Sequence, residues 1–588
     1  MWLRNLEERP TKIPTSSWHD RGFIPVASKA VEEASEKISM LGFCQQRVWA
    51  VVRDGHDGEL ELVPLVITLE QFSSQLRHDR LQRRNGEDYR ECHESCTVTF
   101  CEHAAVNFTS VPQLHKCLNP NYCVPTTDKM FNQSLLVDAL NENDKSTTTA
   151  WTLDGMSLVA QGKSYLAVSH VWSDGTGVGA WKAGRVNKCI WSFFVDTARR
   201  LGCDGVWWDT VCIPQDRAAR STALNNMHRN YGDAQYTLVH DLYLAGIEWK
   251  DDGSPCIALV LSPWFTRGWT ALELLLSKRV FVLFKQGDGY ILKDLDQEVL
   301  AHHRFLQSHA HWIATFAVKR LRPAEEIDFF KTLKTLRILK SRYTSWSRDQ
   351  SIIAGLMCGL KDFDKLSEQE ITKRILTKGR MIERKYLLHN LPTMSDPLFS
   401  WCPPRFLDLY TGLGSEGLLI DENGTMSGRW EIWYIPSKTC FDRGIIWPSS
   451  MDVRVRIKVQ WALHEAEKCV ILTCDEYGTQ GLLVRLKAYN DRPQEDTLYC
   501  KYIGLVNVHP GEIRKSRFCI RREVVIGYLP GMVDVGVMDW ERNDREYKQD
   551  MLSAAAEQQG RTTFLTLAKQ PPVRKHVRIS LVRNVSAE

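Results

Sequence analysis

Tyr165-Leu-Ala-Val-Ser169 is the first of four short apolar runs, and the fourth is Arg279-Val-Phe-Val-Leu-Phe284. Between them lie Gly205-Val-Trp-Trp-Asp-Thr-Val-Cys212 and Tyr236-Thr-Leu-Val-His240, and helical patterns separate all four runs. Buried strands that alternate with helices are typical of a parallel sheet with right-handed crossovers and helices on both faces. The sequence therefore predicts an α/β unit at residues 150–300.

The last helix of this unit carries a Trp and a Glu that are candidate site residues. Ser262-Pro263 predicts its start, because Ser is a good N-cap and Pro fits the first turn. Trp269 and Glu273 stand four positions apart and share one helix face, so both could line one pocket. The same spacing equally fits a core Trp and a Glu with a structural contact. Other side chains expected at the carboxyl ends of the strands, where parallel sheets bind ligands, are Ser169, Trp172 and Asp209.

The remaining sequence predicts four further regions. Residues 1–140 contain a helix at Ser28–Leu41, an extended run at Leu62–Leu69, a helix at Glu70–Arg84 and a Cys/His-rich segment. Residues 301–400 have helical spacing, 401–540 are β-rich, and 541–588 form a polar, partly disordered tail. The strand-like runs of the β-rich region are Trp430–Ile435, Val453–Val459, Lys468–Thr473 and Gly481–Leu486.

Composition excludes several classes of function. The chain has 588 residues, a mass of 67.6 kDa and a formal net charge of only +4, which gives no basis for expecting a nucleic-acid partner. It has no apolar run of about 18 residues, so no membrane span is expected. The first twenty residues lack the apolar centre of a secretion signal. We therefore predict a cytoplasmic protein whose 17 cysteines are mostly reduced thiols.

Seven of the Cys and His residues at positions 92–123 form a second candidate site: Cys92, Cys96, Cys101, His103, His115, Cys117 and Cys123. Cysteine and histidine at short spacing suit tetrahedral zinc, although this spacing is not a paired CxxC pattern. Free buried thiols are the alternative. A bound metal would be structural, since four protein ligands leave no open coordination position. The ligand set that the spacing favours is Cys96, Cys101, His115 and Cys117.

Three blocks of sequence resemble the fungal heterokaryon-incompatibility (HET) domain. They are YLAVSHVWSDG from residue 165, VWWDTVCIPQDRAARSTALNNMHRNYGDAQYTLVHD from residue 206, and SPWFTRGWTALELLLSKRVFVLF from residue 262. The flanking segments FTSVPQLHKC, SRYTSWSRDQSIIAGLM and FSWCPP are also similar to HET proteins. HET domains are in turn distantly similar to Toll/interleukin-receptor (TIR) domains. The resemblance implies a TIR- or flavodoxin-like parallel sheet.

The TIR likeness implies a reaction and residues for it. Enzymatic TIR domains use a Glu, preceded one turn earlier by a Trp, to cleave the N-glycosidic bond of NAD. These positions fall on Glu273 and Trp269, with Ser169, Trp172 and Asp209 as further NAD contacts. His170 departs from the pattern, because an aromatic residue usually follows the Ser. The cleavage requires no cofactor, and NAD would be the substrate.

The resemblance as a whole implies an effector of programmed cell death in fungal non-self recognition. Such an effector would become a homo-oligomer on activation and would respond to a non-self recognition partner protein. The competing interpretation is a non-enzymatic module that only self-associates and signals. A third is a thiol hydrolase that uses Cys212. The Gly-rich run SDGTGVG lacks the spacing of a phosphate loop and is better interpreted as a mobile loop over the strand ends.

Overall fold

The fold is described from a computed structural model. Structural statements concern residues 25–54, 62–77, 82–84, 87–89, 93, 95–97, 100–105, 111–127, 129–141, 148–177, 185–300, 309–319, 321, 328–361, 366–409, 417–435, 445–446, 451–473, 480–488, 497–508 and 519–536. The tail predicted for residues 541–588 lies outside these ranges.

The N-terminal region consists mainly of helices. Its elements are α1 (Pro25–Met40), α2 (Gln45–Asp54), α3 (Leu62–Leu76), the antiparallel pair β1 (Gln82–Arg84) and β2 (Glu87–Tyr89), and α4 (Gln133–Asn141). The helix predicted at Ser28–Leu41 is confirmed as α1. The extended run predicted at Leu62–Leu69 is wrong, because it belongs to α3. The helix predicted at Glu70–Arg84 ends at Leu76. The buried residues of α3 have helical spacing and are Leu62, Leu65, Val66, Leu69, Phe72 and Leu76.

The α/β unit contains the predicted parallel strands. Its six-stranded sheet has the order β3-β5-β4-β6-β7-β8, in which β5, β4, β6 and β7 pair in parallel and the two edge strands pair antiparallel. Successive residues of β4 and β5 are all buried, so both faces of the sheet are covered. The strands are β3 (Trp151–Thr152), β4 (Tyr165–His170), β5 (Gly205–Trp208), β6 (Tyr236–His240), β7 (Val280–Gln286) and β8 (Gly289–Asp294). The helices are α5 (Lys188–Arg200), α6 (Asp209–Cys212), α7 (Arg217–Asn225), α8 (Met227–Asp233), α9 (Leu242–Gly246), α10 (Ser254–Leu261) and α11 (Gly268–Leu276).

The start of the last helix differs from the prediction. Ser262 follows α10 instead of capping a new helix: its hydroxyl donates to Leu259 O at 2.7 Å and accepts from Phe265 N at 3.1 Å. These bonds close a turn. Helix α11 begins at Gly268, whose amide donates to Tyr343 O at 2.9 Å. A tertiary contact, and not a Ser-Pro cap, therefore sets the start of the helix that carries Glu273.

A helical region follows the α/β unit, as predicted for residues 301–400. A π-helical turn (Leu295–Val299) leads into it, and a short strand, β9 (Met381–Glu383), follows its last helix. Its helices are α12 (His309–Lys319), α13 (Asp328–Lys340), α14 (Ser347–Met357) and α15 (Glu368–Gly379).

The β-rich region closes into a barrel-like sheet. Strand β11 pairs with both β13 and β16, and β14 and β15 complete the ring; β15 and β16 pair in parallel, and the other pairs of the ring are antiparallel. Three of the four predicted strand runs are confirmed, as β11, β13 and β14. The strands are β10 (Gly417–Ile420), β11 (Met426–Tyr434), β12 (Ile445–Ile446), β13 (Cys469–Thr473), β14 (Gln480–Ala488), β15 (Leu498–Val508), β16 (Cys519–Ile526) and β17 (Val533–Asp534).

The fourth predicted run, Val453–Val459, is wrong, because it begins the helix α16 (Val453–His464). Asp452 caps this helix by accepting from Arg454 N at 2.8 Å. The alternation of apolar and basic residues suggested a strand. The helix instead buries residues at helical spacing: Val455, Val459, Ala462 and Leu463.

One hydrophobic core extends across these regions. It includes Leu65 of α3, Val239 of β6, Leu336 of α13 and Leu472 of β13. The fold is thus mixed helix and sheet, and the domain boundaries given above remain predictions. In the described ranges, no helix combines the length and apolar character that a membrane crossing requires.

Candidate functional site

The candidate site lies at the carboxyl ends of the parallel strands. Register pairs the last residues of β4 and β6, His170 and His240, and places the last residue of β5, Trp208, beside Val168, so that Asp209 follows β5 close to Ser169. Strand β4 has β5 on one side and β6 on the other, and a crevice between such neighbours is where α/β sheets bind ligands.

Glu273 and Ser169 meet at this edge. The Ser169 hydroxyl donates to Glu273 Oε2, and Trp264 Nε1 donates to Ser169 Oγ at 2.7 Å. Because the Trp264 N–H occupies an acceptor site of the hydroxyl, the Ser169 proton is directed to the carboxylate. Ser169 is fully buried and Glu273 is 6% exposed. The structure thus brings two of the predicted site residues into direct contact.

The protonation of Glu273 is set mainly by burial. Burial raises the pKa of Glu273 to about 7; the Ser169 hydrogen bond works in the opposite direction, and the charge of Asp209 adds to the increase. A carboxyl group with this pKa exists in both forms near neutral pH. Such values are common among groups that take part in catalysis, although buried structural groups share them.

Asp209 holds the neighbouring part of the site together. It directly follows β5, and its carboxylate accepts from His170 Nε2 at 2.7 Å and from Trp172 Nε1 at 2.9 Å. His170 Nδ1 lies 3.1 Å from Val171 O, whereas Nε2 lies close both to the Asp209 carboxylate, an acceptor, and to the indole N–H of Trp208, a donor at 3.1 Å. Burial acts to lower the pKa of His170, but Asp209 outweighs it and the net direction is upward. Burial likewise acts to raise the pKa of Asp209, but His170 holds it below its usual value.

Trp269 donates its hydrogen bond to a residue other than Glu273. Its indole N–H donates to Asp349 Oδ2 at 2.9 Å, on helix α14, and the ring is only partly buried. Arg220 lies near enough to feel the charges of both Asp349 and Asp209. The aromatic ring of Trp269 therefore lies at the border of the site and is hydrogen-bonded to the helical region.

The loop after β4 is built around Trp172 and Asp174. A Cβ on Gly177 would lie 2.9 Å from the Trp172 ring, so only glycine allows this close packing without a shift. Asp174 accepts from Thr176 N at 2.8 Å and from Leu242 N at 3.0 Å. The loop SDGTGVG is described as far as Gly177; its last residues, 178 and 179, lie outside the described ranges.

Four residues at this edge were not identified from the sequence as parts of the site. Trp264 lies within one of the HET-like blocks, and His170 directly follows Ser169, so motif position could have signalled both. Arg220 and Asp349 also lie within HET-like segments, the second block and SRYTSWSRDQSIIAGLM, but only tertiary packing shows that they reach this edge.

The structure argues against the thiol hydrolase. Cys212 is buried at the end of α6, and its sulfur accepts from Trp208 N at 3.4 Å. Burial raises the pKa of this thiol, which disfavours the thiolate that a nucleophile needs.

The predicted zinc ligands do not form one site. Cys96 and Cys101 lie with Cys44 and His93 in one cluster, which we call the upstream cluster. His115 and Cys117 lie with Cys123 and Cys189 in another, the downstream cluster. The sequence-based set Cys96, Cys101, His115 and Cys117 is therefore corrected. Cys44 and Cys189 were missed because they lie far from the Cys/His-rich segment in the chain and reach it only through folding.

Comparison with known proteins identifies the α/β unit. Residues 165–242 match the family described as heterokaryon incompatibility protein (HET). The vegetative incompatibility protein HET-E-1 of Podospora anserina is 30% identical over 126 residues, which cover 19% of this chain and only 9% of that protein. No solved structure matches the chain. The matched family segment contains β4, β5 and β6 together with Ser169, Asp209 and His170. The chain thus carries a heterokaryon incompatibility (HET) domain at residues 165–242.

Proposed function

We propose that this chain is a heterokaryon-incompatibility-type effector that acts in non-self recognition. The HET domain and the similarity to a vegetative incompatibility protein support this role. We further propose that it executes programmed cell death by hydrolysing the N-glycosidic bond of NAD, with Glu273 as the catalytic carboxylate. The observation that carries the proposal is the buried Ser169–Glu273 pair at the carboxyl edge of the parallel sheet.

The strand order supports the TIR-like interpretation. Numbered by their place in the chain, the parallel strands β5, β4, β6 and β7 have the order second, first, third, fourth. This is the beginning of the flavodoxin-like order, whose ligands bind between the first and third strands. Ser169 stands at the end of the first strand, beside that position.

The proposed chemistry needs little besides a carboxylate. The C1′–N bond breaks with its electron pair on nicotinamide, a neutral leaving group that needs no protonation. The ionised Glu273 stabilises positive charge on the ribose, and water then adds to C1′ and loses a proton. Trp269 and Trp172 provide aromatic surfaces for substrate rings, and Ser169 positions the carboxylate. Asp209 positions Trp172 and His170 through its hydrogen bonds.

Access to the carboxylate must be controlled. Glu273 is 6% exposed and Ser169 is fully buried. The ribose C1′ of NAD can therefore approach the Glu273 carboxylate only after neighbouring side chains move. We propose that homo-oligomerisation, prompted by a recognition partner, orders the Gly-rich loop and favours the open state, as a population shift requires. The monomer would then be nearly inactive.

Expression in cells tests this proposal. Wild type, Glu273→Gln and Glu383→Gln should be compared for cellular NAD and viability at equal protein levels. Glu383 is a matched control, because it is another buried glutamate and lies on β9. We expect wild type and Glu383→Gln to lower NAD before viability falls, and Glu273→Gln to do neither. Loss of NAD that persists in Glu273→Gln would contradict the role of Glu273.

The non-enzymatic signalling module remains the second candidate. The near-complete burial of Glu273 and its bond to Ser169 favour it, since both also suit a purely structural carboxylate. It predicts that wild type kills cells while their NAD stays constant.

A further inference from the structure

We propose that this chain binds two structural zinc ions, one in the upstream cluster and one in the downstream cluster. Each cluster offers three cysteines and one histidine, a common ligand set of structural zinc. The proposal does not depend on NAD hydrolysis, because neither cluster contains a residue of the candidate site.

The donor atoms already have nearly tetrahedral separations. In each cluster the four possible ligand atoms all lie within 4.8 Å of one another. Zn–S and Zn–N bonds of about 2.3 and 2.0 Å place sulfur and nitrogen ligands about 3.5 Å apart in a tetrahedron. In the upstream cluster His93 Nδ1 lies 3.3 Å from the sulfur of Cys96 and 3.7 Å from that of Cys101. In the downstream cluster His115 Nδ1 lies 3.8 Å from the sulfurs of Cys117 and Cys189.

The upstream cluster is buried beside a positive charge. Cys44, Cys96 and Cys101 are all buried and contact one another. Three thiolates and one Zn²⁺ leave a net charge of about −1, which is costly to bury alone. Arg47, only 1% exposed, lies within electrostatic range of Cys101 and offsets that charge.

The downstream cluster is held by its neighbours. The Lys116 amide donates to Cys189 Sγ at 3.1 Å, as backbone amides do to metal-bound thiolates. His115 Nε2 lies 3.1 Å from the side-chain amide of Asn187, and this contact holds the ring with Nδ1 towards the sulfurs. These ligands are half-buried, so their thiols are accessible to metal.

Each ion would join parts of the chain that are distant in sequence. Cys44 lies directly before α2, so the upstream ion ties the N-terminal helices to the Cys/His-rich segment. Cys189 lies on α5, so the downstream ion ties that segment to the HET domain. Nearby, Leu114 N donates to Gly175 O at 2.7 Å and Thr126 N to Val186 O at 2.8 Å, one on each side of residues 178–184. The downstream ion thus fixes a segment that contacts the Gly-rich loop at Gly175 and the chain just before α5 at Val186.

Metal analysis of the purified full chain tests the proposal. Protein should be produced with zinc and purified under reducing conditions without chelator, and zinc per chain measured by mass spectrometry. We expect about two zinc ions in wild type, one in Cys44→Ser, one in Cys189→Ser and none in the double variant. Cys203→Ser, a buried cysteine outside both clusters, serves as the matched control and should keep two. The zinc that each single variant retains shows that it has folded.

Cobalt substitution checks the ligand types independently. Tetrahedral cobalt bound by three thiolates and a histidine has intense visible bands, and each single variant should lose about half of their intensity. Wild type without zinc, or with zinc that both single variants keep in full, would overturn the proposal. A single zinc that either variant abolishes would replace the two sites by one mixed site and overturn it as well.

Discussion

Glu273 combines burial, a hydrogen bond from Ser169 and a pKa raised to about 7. These properties have opposite consequences for activity and for stability. The proposed reaction needs the ionised carboxylate, so activity should rise with pH through about 7. Burial penalises that same ionised form, so the folded protein loses stability over the same range. The proposed catalytic residue is thus one whose ionised form destabilises the folded protein.

Stability measurements on Glu273→Gln test this trade-off. The folded pKa of about 7 exceeds the unfolded value of about 4.3, so the folded state keeps a proton that the unfolded state releases. Wild-type stability should therefore fall as pH rises between these values, by up to about 4 kcal/mol. The neutral Gln avoids this loss, so Glu273→Gln should be the more stable protein at pH 8 and not at pH 5. Denaturant unfolding at both pH values measures the difference. Equal differences at both would contradict a raised pKa.

Ser169→Ala should shift the pH dependence of NAD cleavage. The Ser169 hydroxyl stabilises the ionised carboxylate, so its removal raises the pKa of Glu273 further. The pH–rate profile should move to higher pH, with a lower rate at pH 7. Ser164→Ala is the matched control: it precedes the opposite end of the same strand, bonds to Asp204, and should leave the profile unchanged. A profile that does not move in Ser169→Ala would sink the positioning role of Ser169.

At the scale of elements, the start of α11 decides where Glu273 lies. A Cβ added to Gly268 would lie 2.7 Å from Thr344 Cγ2, beside the backbone contact with Tyr343. Gly268→Ala should therefore displace the helix, lower the free energy of unfolding by about 1–3 kcal/mol and reduce activity. Gly232→Ala on α8 is the control, because its Cβ meets open space and Ala favours a helix. A neutral Gly268→Ala would show that α11 adapts freely.

Some elements could be predicted from sequence and others could not. The parallel strands β4, β5, β6 and β7 were predicted because buried parallel strands are continuous apolar runs, a local signal. The helix start predicted at Ser262-Pro263 was wrong because the hydrogen bonds of Ser262 close a turn. The contact of Gly268 with Tyr343, which sets the observed start, leaves no signal in the sequence. The strand predicted at Val453–Val459 was wrong. Alternating apolar residues fit a strand, and only packing reveals that α16 buries Val455 and Val459.

At the scale of the whole molecule, the site depends on regions outside the HET match. Ser169 and Asp209 were predictable from their places at strand ends, and Glu273 from a resemblance. Asp349 was not, because it comes from α14, and neither were the two metal-type clusters, which Cys44 and Cys189 complete through folding. The sequence thus indicated the residues at the centre of the site, whereas tertiary packing brings the residues at its borders into place.

The Trp269–Asp349 bond should couple the α/β unit to the helical region. Trp269→Phe keeps an aromatic ring but leaves the half-buried Asp349 without this donor, so it should cost about 1 kcal/mol of stability. Asp349→Asn should cost less in the Trp269→Phe background than in wild type. Denaturant unfolding of the double-mutant cycle measures this coupling. Additive effects would show that the bond contributes nothing.

Nicotinamide release by the purified full chain is the most direct test of the central claim. Wild type and Glu273→Gln should be incubated with NAD at high protein concentration, where self-association is favoured, and both forms shown to be folded. We expect nicotinamide and ADP-ribose in equal amounts from wild type and a rate at least about 100-fold lower from Glu273→Gln. Equal rates from the two folded proteins would contradict catalysis by Glu273, and no release from either would contradict NAD hydrolysis itself.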